Sequence, residues 1–121
     1  MRRAAALCCL AVLAAGCQTT GRARETVPGA SPEHGKQLIV ANGCGACHTI
    51  PGIRGADARI ATDLHHWHSQ RYIVGKYGNY ERNLIRWLMN PQRLNPGTLM
   101  PNLGLSREQA RDIAAYLYER T

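Results

Sequence analysis

The chain has 121 residues, 45% of them hydrophobic, and a formal charge of +7 at pH 7. That length holds one domain, and with no phenylalanine a core built from protein alone is marginal, so something else is expected to fill its middle. The basic residues are scattered from Arg22 to Arg120 without a dense run; no nucleic-acid motif stands behind the charge, and an acidic protein surface is the better use of it.

At the start, Met1-Arg2-Arg3 precedes an uncharged apolar run over residues 4–15. A membrane-spanning helix needs about 20 apolar residues, so this shorter run predicts an export signal over residues 1–16. Arg2-Arg3 lacks the rest of a twin-arginine motif and reads as a simple basic start. The signal ends in "LAAGC", residues 13–17, which resembles the lipobox of bacterial lipoproteins, with Ala14 where leucine is usual. The resemblance implies lipid attachment at Cys17 and a bacterial periplasmic location, tethered to a membrane. Ordinary cleavage nearby, leaving Cys17 a plain thiol, is the alternative. Removing the signal takes 2 of the 15 Lys and Arg and none of the 8 Asp and Glu, leaving +5.

Residues 17–30 form the expected tether, because "QTTGRARETVPGA" has almost no apolar residue and cannot bury itself. As a coil it spans roughly 20 Å. The folded domain is expected over residues 31–121. Its first helix is announced by Ser31-Pro32-Glu33, a capping serine, a proline at the first helical position and an acid in the first turn. It stops at Asn42-Gly43. Gly35 inside it costs about 1 kcal/mol relative to alanine, which the close passage of a second helix would explain. A middle helix is predicted over residues 81–89, with Leu84, Ile85 and Leu88 apolar and Asn90-Pro91 as its stop. The last helix begins at Ser106, where Ser106 and Gln109 have capping-box spacing and Ala110, Ile113, Ala114 and Leu117 recur along one face. No segment alternates as a strand, so the expected fold class is all-α, with four to five short helices.

Between the first and middle helices stands "CGACH", residues 44–48. C-x-x-C-H is the pattern in which two thiols add across the vinyl groups of a haem and the adjacent histidine ligates its iron. The spacing lets both sulfurs reach neighbouring edges of one rigid ring while the imidazole lies under its centre. A thioredoxin-like dithiol needs a βαβ setting, and a zinc site needs further ligands; neither is present. The other cysteines are Cys8 and Cys9 inside the signal and Cys17 at its end, so none remains for a structural disulfide. Met1 leaves with the signal, Met89 reads as core filler in its helix, and Met100 lies in "LNPGTLMPNLG". A thioether on an irregular loop can be aimed across a cofactor, which makes Met100 the candidate second axial ligand opposite His48. An iron held on both sides suits electron transfer and leaves no open position for catalysis.

From about Pro32 to its end the chain resembles the class I monohaem c-type cytochromes, most closely the cytochrome c domains associated with subunit II of bacterial haem–copper cytochrome c oxidases. The segments that carry the resemblance are "GCGACHTIPGIRGA", "RYIVGKYGN", "NLIRWLMNPQRLNPGTLMPNLGLS" and "DIAAYLY". It implies a small cytochrome c fold wrapped around one covalent haem c, with thioethers on Cys44 and Cys47 and axial ligands His48 and Met100. It also implies that Gly35 meets Tyr116 and Leu117 where the terminal helices cross. Arg54, Tyr72 and Trp87 are implied near the haem's edge or propionates, where a carboxylate in a low-dielectric pocket needs donors.

One segment departs from the family pattern. Relatives carry Gly-Pro-Pro-Leu where this chain has Ala61-Thr62-Asp63-Leu64. In the family the first proline's carbonyl takes the ligand histidine's outer N–H and so fixes the ring; Thr62 offers the same carbonyl on a less rigid loop. His65, His66 and His68 follow. They can gather a metal or titrate near neutral pH, though a solvated loop is the simpler reading. The expected function is electron carriage to or from a respiratory membrane complex such as cytochrome c oxidase, by a monomer that is no enzyme and binds no nucleic acid. A labile Met100 would instead open the iron to a peroxidase or a gas-binding, sensing role.

Overall fold

In the computed structural model, which describes residues 23–121, the frame of the domain is a crossing of its first and last helices. The expected export signal, Cys17 and the tether up to residue 22 lie outside the described residues. Helix α1, Pro32–Ala41, starts where Ser31 accepts a hydrogen bond from the His34 N–H and Pro32 opens the first turn; Asn42 ends it, its N–H returning to Leu38 O. The last helix, Arg107–Arg120, has both halves of its capping box: Ser106 Oγ takes the Gln109 N–H, and the Gln109 side chain takes the Ser106 N–H.

Gly35 makes the crossing close. A Cβ there would stand 2.0 Å from the Asp112 carbonyl oxygen and 3.0 Å from the Ile113 nitrogen, so any larger residue must push the helices apart. The neighbours of Gly35 are thus one helical turn earlier than the expected Tyr116 and Leu117. Asp112, only 6% exposed, bolts the same junction. One carboxylate oxygen accepts the Ser31 N–H at 2.8 Å and the other accepts from His34 Nδ1 at 2.7 Å, which places an acid at the positive end of α1. Ala110, Ala114 and Ala115, all buried, add small side chains to the packed faces of the last helix.

The middle of the chain adds smaller elements. A two-stranded antiparallel hairpin pairs β1, Tyr72–Ile73, with β2, Tyr77–Gly78. It is a departure from the strand-free expectation, and its brevity is the reason: two residues cannot display an alternating pattern. Buried Asn79 staples it, donating to the Trp67 and Gln70 carbonyls and accepting from Tyr118 Oη at 2.8 Å. Helix α2, Glu81–Met89, buries Leu84, Ile85, Trp87 and Leu88. Its end at Asn90 begins α3, Pro91–Leu94, because the Asn90 side chain caps the Arg93 N–H and Pro91 suits a first turn. The last helix is therefore α4. Among the described residues no helix is long and apolar enough to cross a membrane.

The segment expected as tether is docked over its final part. Val27 is 5% exposed and packs into the core, Glu25 accepts the Glu81 N–H at 3.0 Å, and Arg24 donates to Glu119 O at 2.8 Å. Glu25 thus caps α2, whose own preceding residue, Tyr80, gives no side-chain cap. One valine and these long-range polar contacts suffice where composition alone suggested free coil.

Candidate functional site

The elements border a cavity of about 330 Å³, open on one side, far larger than the voids that close packing leaves by default. Cys44, Cys47 and His48 line one side and Met100 with Leu99 and Pro101 another; Leu64, Trp67, Ile73, Leu84, Trp87 and Leu117 complete the apolar walls. Among the described residues no aspartate, glutamate, lysine or arginine lines it. The folding thus brings together the four residues singled out by the sequence motif and by Met100's loop position.

The cysteines sit on a tight turn. Gly43, at φ +67°, sends the chain out of α1 into a 3₁₀ turn over Cys44–Ala46, and the Cys47 and His48 N–H groups both return to Cys44 O, at 3.2 and 3.0 Å. A Cβ on Gly45 would lie 2.7 Å from the Ala56 Cβ, so a small residue between the cysteines is required by the neighbouring loop as well as by the motif. Burial, reinforced by the nearby Cys47, pushes the Cys44 thiol above its ordinary range, against an opposing backbone hydrogen bond.

His48 is held by the segment that departs from the family pattern. Its Nδ1 lies 2.7 Å from the Thr62 carbonyl oxygen. A carbonyl only accepts, so Nδ1 carries the proton and Nε2 keeps its lone pair for a metal. The Ile60 and Ala61 N–H groups donate to Cys47 O at 3.2 and 2.9 Å, the Leu64 N–H to Thr49 O at 2.9 Å, and Thr49 Oγ1 to Ala58 O at 2.8 Å. Two hydrogen bonds from His65, one from its backbone N–H and one from its ring, hold the Asp63 carboxyl below the usual range. The absent proline rings are replaced by a net of hydrogen bonds.

Other expected site residues divide. Trp87 lines the cavity. Arg54 does not: it falls in the turn closed by Ile50 N–H to Ala56 O and faces a smaller pocket with Ile39, Val40 and Ala46. Tyr72 is 60% exposed and outside the lining, because its strand turns the neighbouring Ile73 inward instead. The three histidines do not converge. His65 pairs with Asp63, His66 stands 6.4 Å from it ring to ring, and His68 hydrogen-bonds Thr121; among the described residues no group of three histidine, cysteine, aspartate or glutamate side chains could hold a metal ion. Sequence reading missed Trp67, and also Val74, a β-branched residue at φ +45° beside Gly75 at +68° in the hairpin turn.

Does this lining suit a haem? Two thiols, an imidazole and a thioether border one apolar space, which is the donor set a covalently attached, doubly ligated iron porphyrin requires. Trp67 supplies a second observation. Its indole N–H is buried and has no hydrogen-bond partner among the described residues, and an acceptor brought in by a cofactor would satisfy it.

Comparison with known proteins agrees. A family model described as cytochrome c matches residues 32–120. Cytochrome c oxidase subunit 2 of Alkalihalophilus pseudofirmus is 31% identical over 84 residues, 69% of this chain and 24% of that protein. Cytochrome c of Theileria annulata is 30% identical over 105 residues, 77% of this chain and 89% of that one, and cytochrome c of Theileria parva is 29% identical over 105 residues. The chain therefore spans about a quarter of the oxidase subunit and most of the two cytochromes. No solved structure matches it.

Proposed function

The chain belongs to the cytochrome c family, and we propose that it is an electron carrier whose haem is attached through Cys44 and Cys47 and ligated by His48 and Met100. Covalent haem c, the all-α fold and haem-based electron carriage come with the family. The residue assignments rest on one observation: these four side chains border a single cavity that no charged side chain among the described residues lines.

When bound, the haem iron supplies one-electron oxidation and reduction. The chain's own residues do the rest. Thr62 keeps the His48 proton on Nδ1 and leaves Nε2 as the ligating nitrogen. Met100 offers a neutral, polarizable sulfur, which favours the reduced iron and raises the potential. Leu64, Ile73, Leu84 and Leu88 exclude water, and low polarity works in the same direction. The similarity to an oxidase subunit supports a respiratory membrane complex, a terminal oxidase in particular, as electron partner. Lipidation of Cys17 would keep the domain beside that complex in a bacterial periplasm.

The test uses the full chain made in a host that attaches haem c. The denatured polypeptide should carry the mass of one haem, and the oxidised protein should show a low-spin spectrum with a sulfur-to-iron band. Substituting Met100→Ala should abolish that band, and His48→Ala should prevent stable holoprotein. A colourless product at bare-chain mass would refute the assignment.

A further inference from the structure

The segment that presents Met100 has almost no hydrogen bonds to the rest of the domain. Within residues 96–105, Thr98 N–H reaches back to Asn95 O at 3.0 Å, Met100 N–H to Thr98 Oγ1 at 3.2 Å, and Gly104 N–H to Asn102 Oδ1 at 3.0 Å. All of these are local. Among the described residues a single hydrogen bond ties residues 96–105 to anything beyond Asn95: Gln92 Nε2 donates to the Met100 carbonyl at 2.6 Å. Next to it Leu99 borders the cavity and is 97% exposed, so its side chain adds almost no packing against the rest of the chain.

Gln92 stands on a fixed platform. Pro91 and Leu94 of α3 are buried, Asn90 caps the helix, and Tyr77 Oη donates to Leu94 O at 3.1 Å. We propose that Gln92 is the positioning residue of the second axial ligand, its side-chain amide setting how readily the Met100 thioether yields its place to another ligand. This rests on the reading that Met100 ligates the iron. Held at its carbonyl, the Met100 backbone cannot carry the thioether away from the cavity without breaking that bond. A neutral hydrogen bond of this kind shifts a local equilibrium by about fivefold. Its loss would carry the protein from closed carrier toward an iron open to small ligands.

The experiment compares the haem-loaded full chain with its Gln92→Ala, Gln92→Glu and Gln92→Arg variants. It measures the ferric protein's affinity for azide, the sulfur-to-iron band and the unfolding midpoint. Gln92→Glu keeps the shape but offers an acceptor to a carbonyl; it and Gln92→Ala should bind azide about fivefold more tightly. Gln92→Arg restores a donor and should stay within about twofold of the parent. Unchanged azide affinity in both the Ala and Glu variants would overturn the proposal, as would a lowered unfolding midpoint without a change in azide binding, the signature of a purely structural residue. Met100→Ala separates the two ideas. If it binds azide no better than the parent, the ligand reading fails and this proposal with it; if it binds far better while the Gln92 variants do not, only the role of Gln92 fails.

Discussion

The two sides of the cavity are built on different principles. On the His48 side, residues 47–49 are joined to residues 58–64 by five hydrogen bonds, from Ile60, Ala61, Leu64, His48 and Thr49, together with an antiparallel bridge between Thr49 and Asp57. On the Met100 side, one side-chain amide does the tying. The first wall is over-determined, so losing one member leaves the others to hold the ligand. The second is singly determined, so its ligand is only as secure as Gln92 and the apolar contacts of Leu103 and Leu105. On the proposed ligation a carrier needs both ligands in both oxidation states, and this arrangement would leave Met100 the more adjustable of the two.

If that contrast resides in the loops, damage to the shared frame should hurt both sides together. Gly35→Ala places a methyl 2.0 Å from the Asp112 carbonyl, and backbone cannot give way as a flexible side chain would. The α1 and α4 crossing must open, at a cost of about 3 kcal/mol. Thermal unfolding of the haem-loaded variant should show the loss. Azide should find the weakened protein more accessible without any preference for Gln92-dependent opening. A variant as stable as the parent would mean that the crossing is looser than its geometry states.

The His48 side can be probed by a smaller cut. Thr49→Val is nearly isosteric and removes only the donor to Ala58 O, at 2.8 Å in the parent. It should lower stability by about 1 kcal/mol. Azide affinity should not move, since four hydrogen bonds remain on that wall. The comparison with Gln92→Glu is then direct: one hydrogen bond removed on each side, a stability effect on one and a ligand-access effect on the other. Equal gains in azide affinity from the two substitutions would erase the distinction.

Much of this was legible in the residues, and the limits have physical causes. The ends of α1, α2 and α4 could be read because capping serines, prolines and apolar spacing act locally. "CGACH" and Met100 were readable because their chemistry needs those atoms at that spacing. The hairpin was not, since its turn is Val74-Gly75 and not the asparagine-glycine pair that announces such turns. Helix α3 hid behind Asn90-Pro91, which stops one helix and starts the next. Arg54 and Tyr72 were placed by likeness, and likeness does not say which way a turn faces. Glu25 capping α2 and Gln92 holding Met100 join residues through space, and neither leaves a mark in its own neighbourhood of the chain.

The smallest effect is expected from Asp63, which adds a further tie to the His48 wall beside Thr62. The His65 backbone N–H, then the His65 ring, hydrogen-bond its carboxyl and hold it below the ordinary aspartate range, which is about 3.9 in an unfolded chain. A carboxyl whose affinity for protons falls on folding stabilises the fold above that unfolded value, and the contribution disappears as pH drops through the folded one. A gap in unfolding midpoint between the parent and Asp63→Ala should therefore be present at neutral pH and close as pH falls below about 4. Because the carboxylate is fully exposed, the gap is small at any pH. Carbon-detected NMR of the Asp63 carboxyl gives the independent check, and a titration at or above the free aspartate value would refute the hydrogen-bonded turn. Through the same window azide affinity should hold steady: the turn is one tie among many on a wall that does not depend on any one of them.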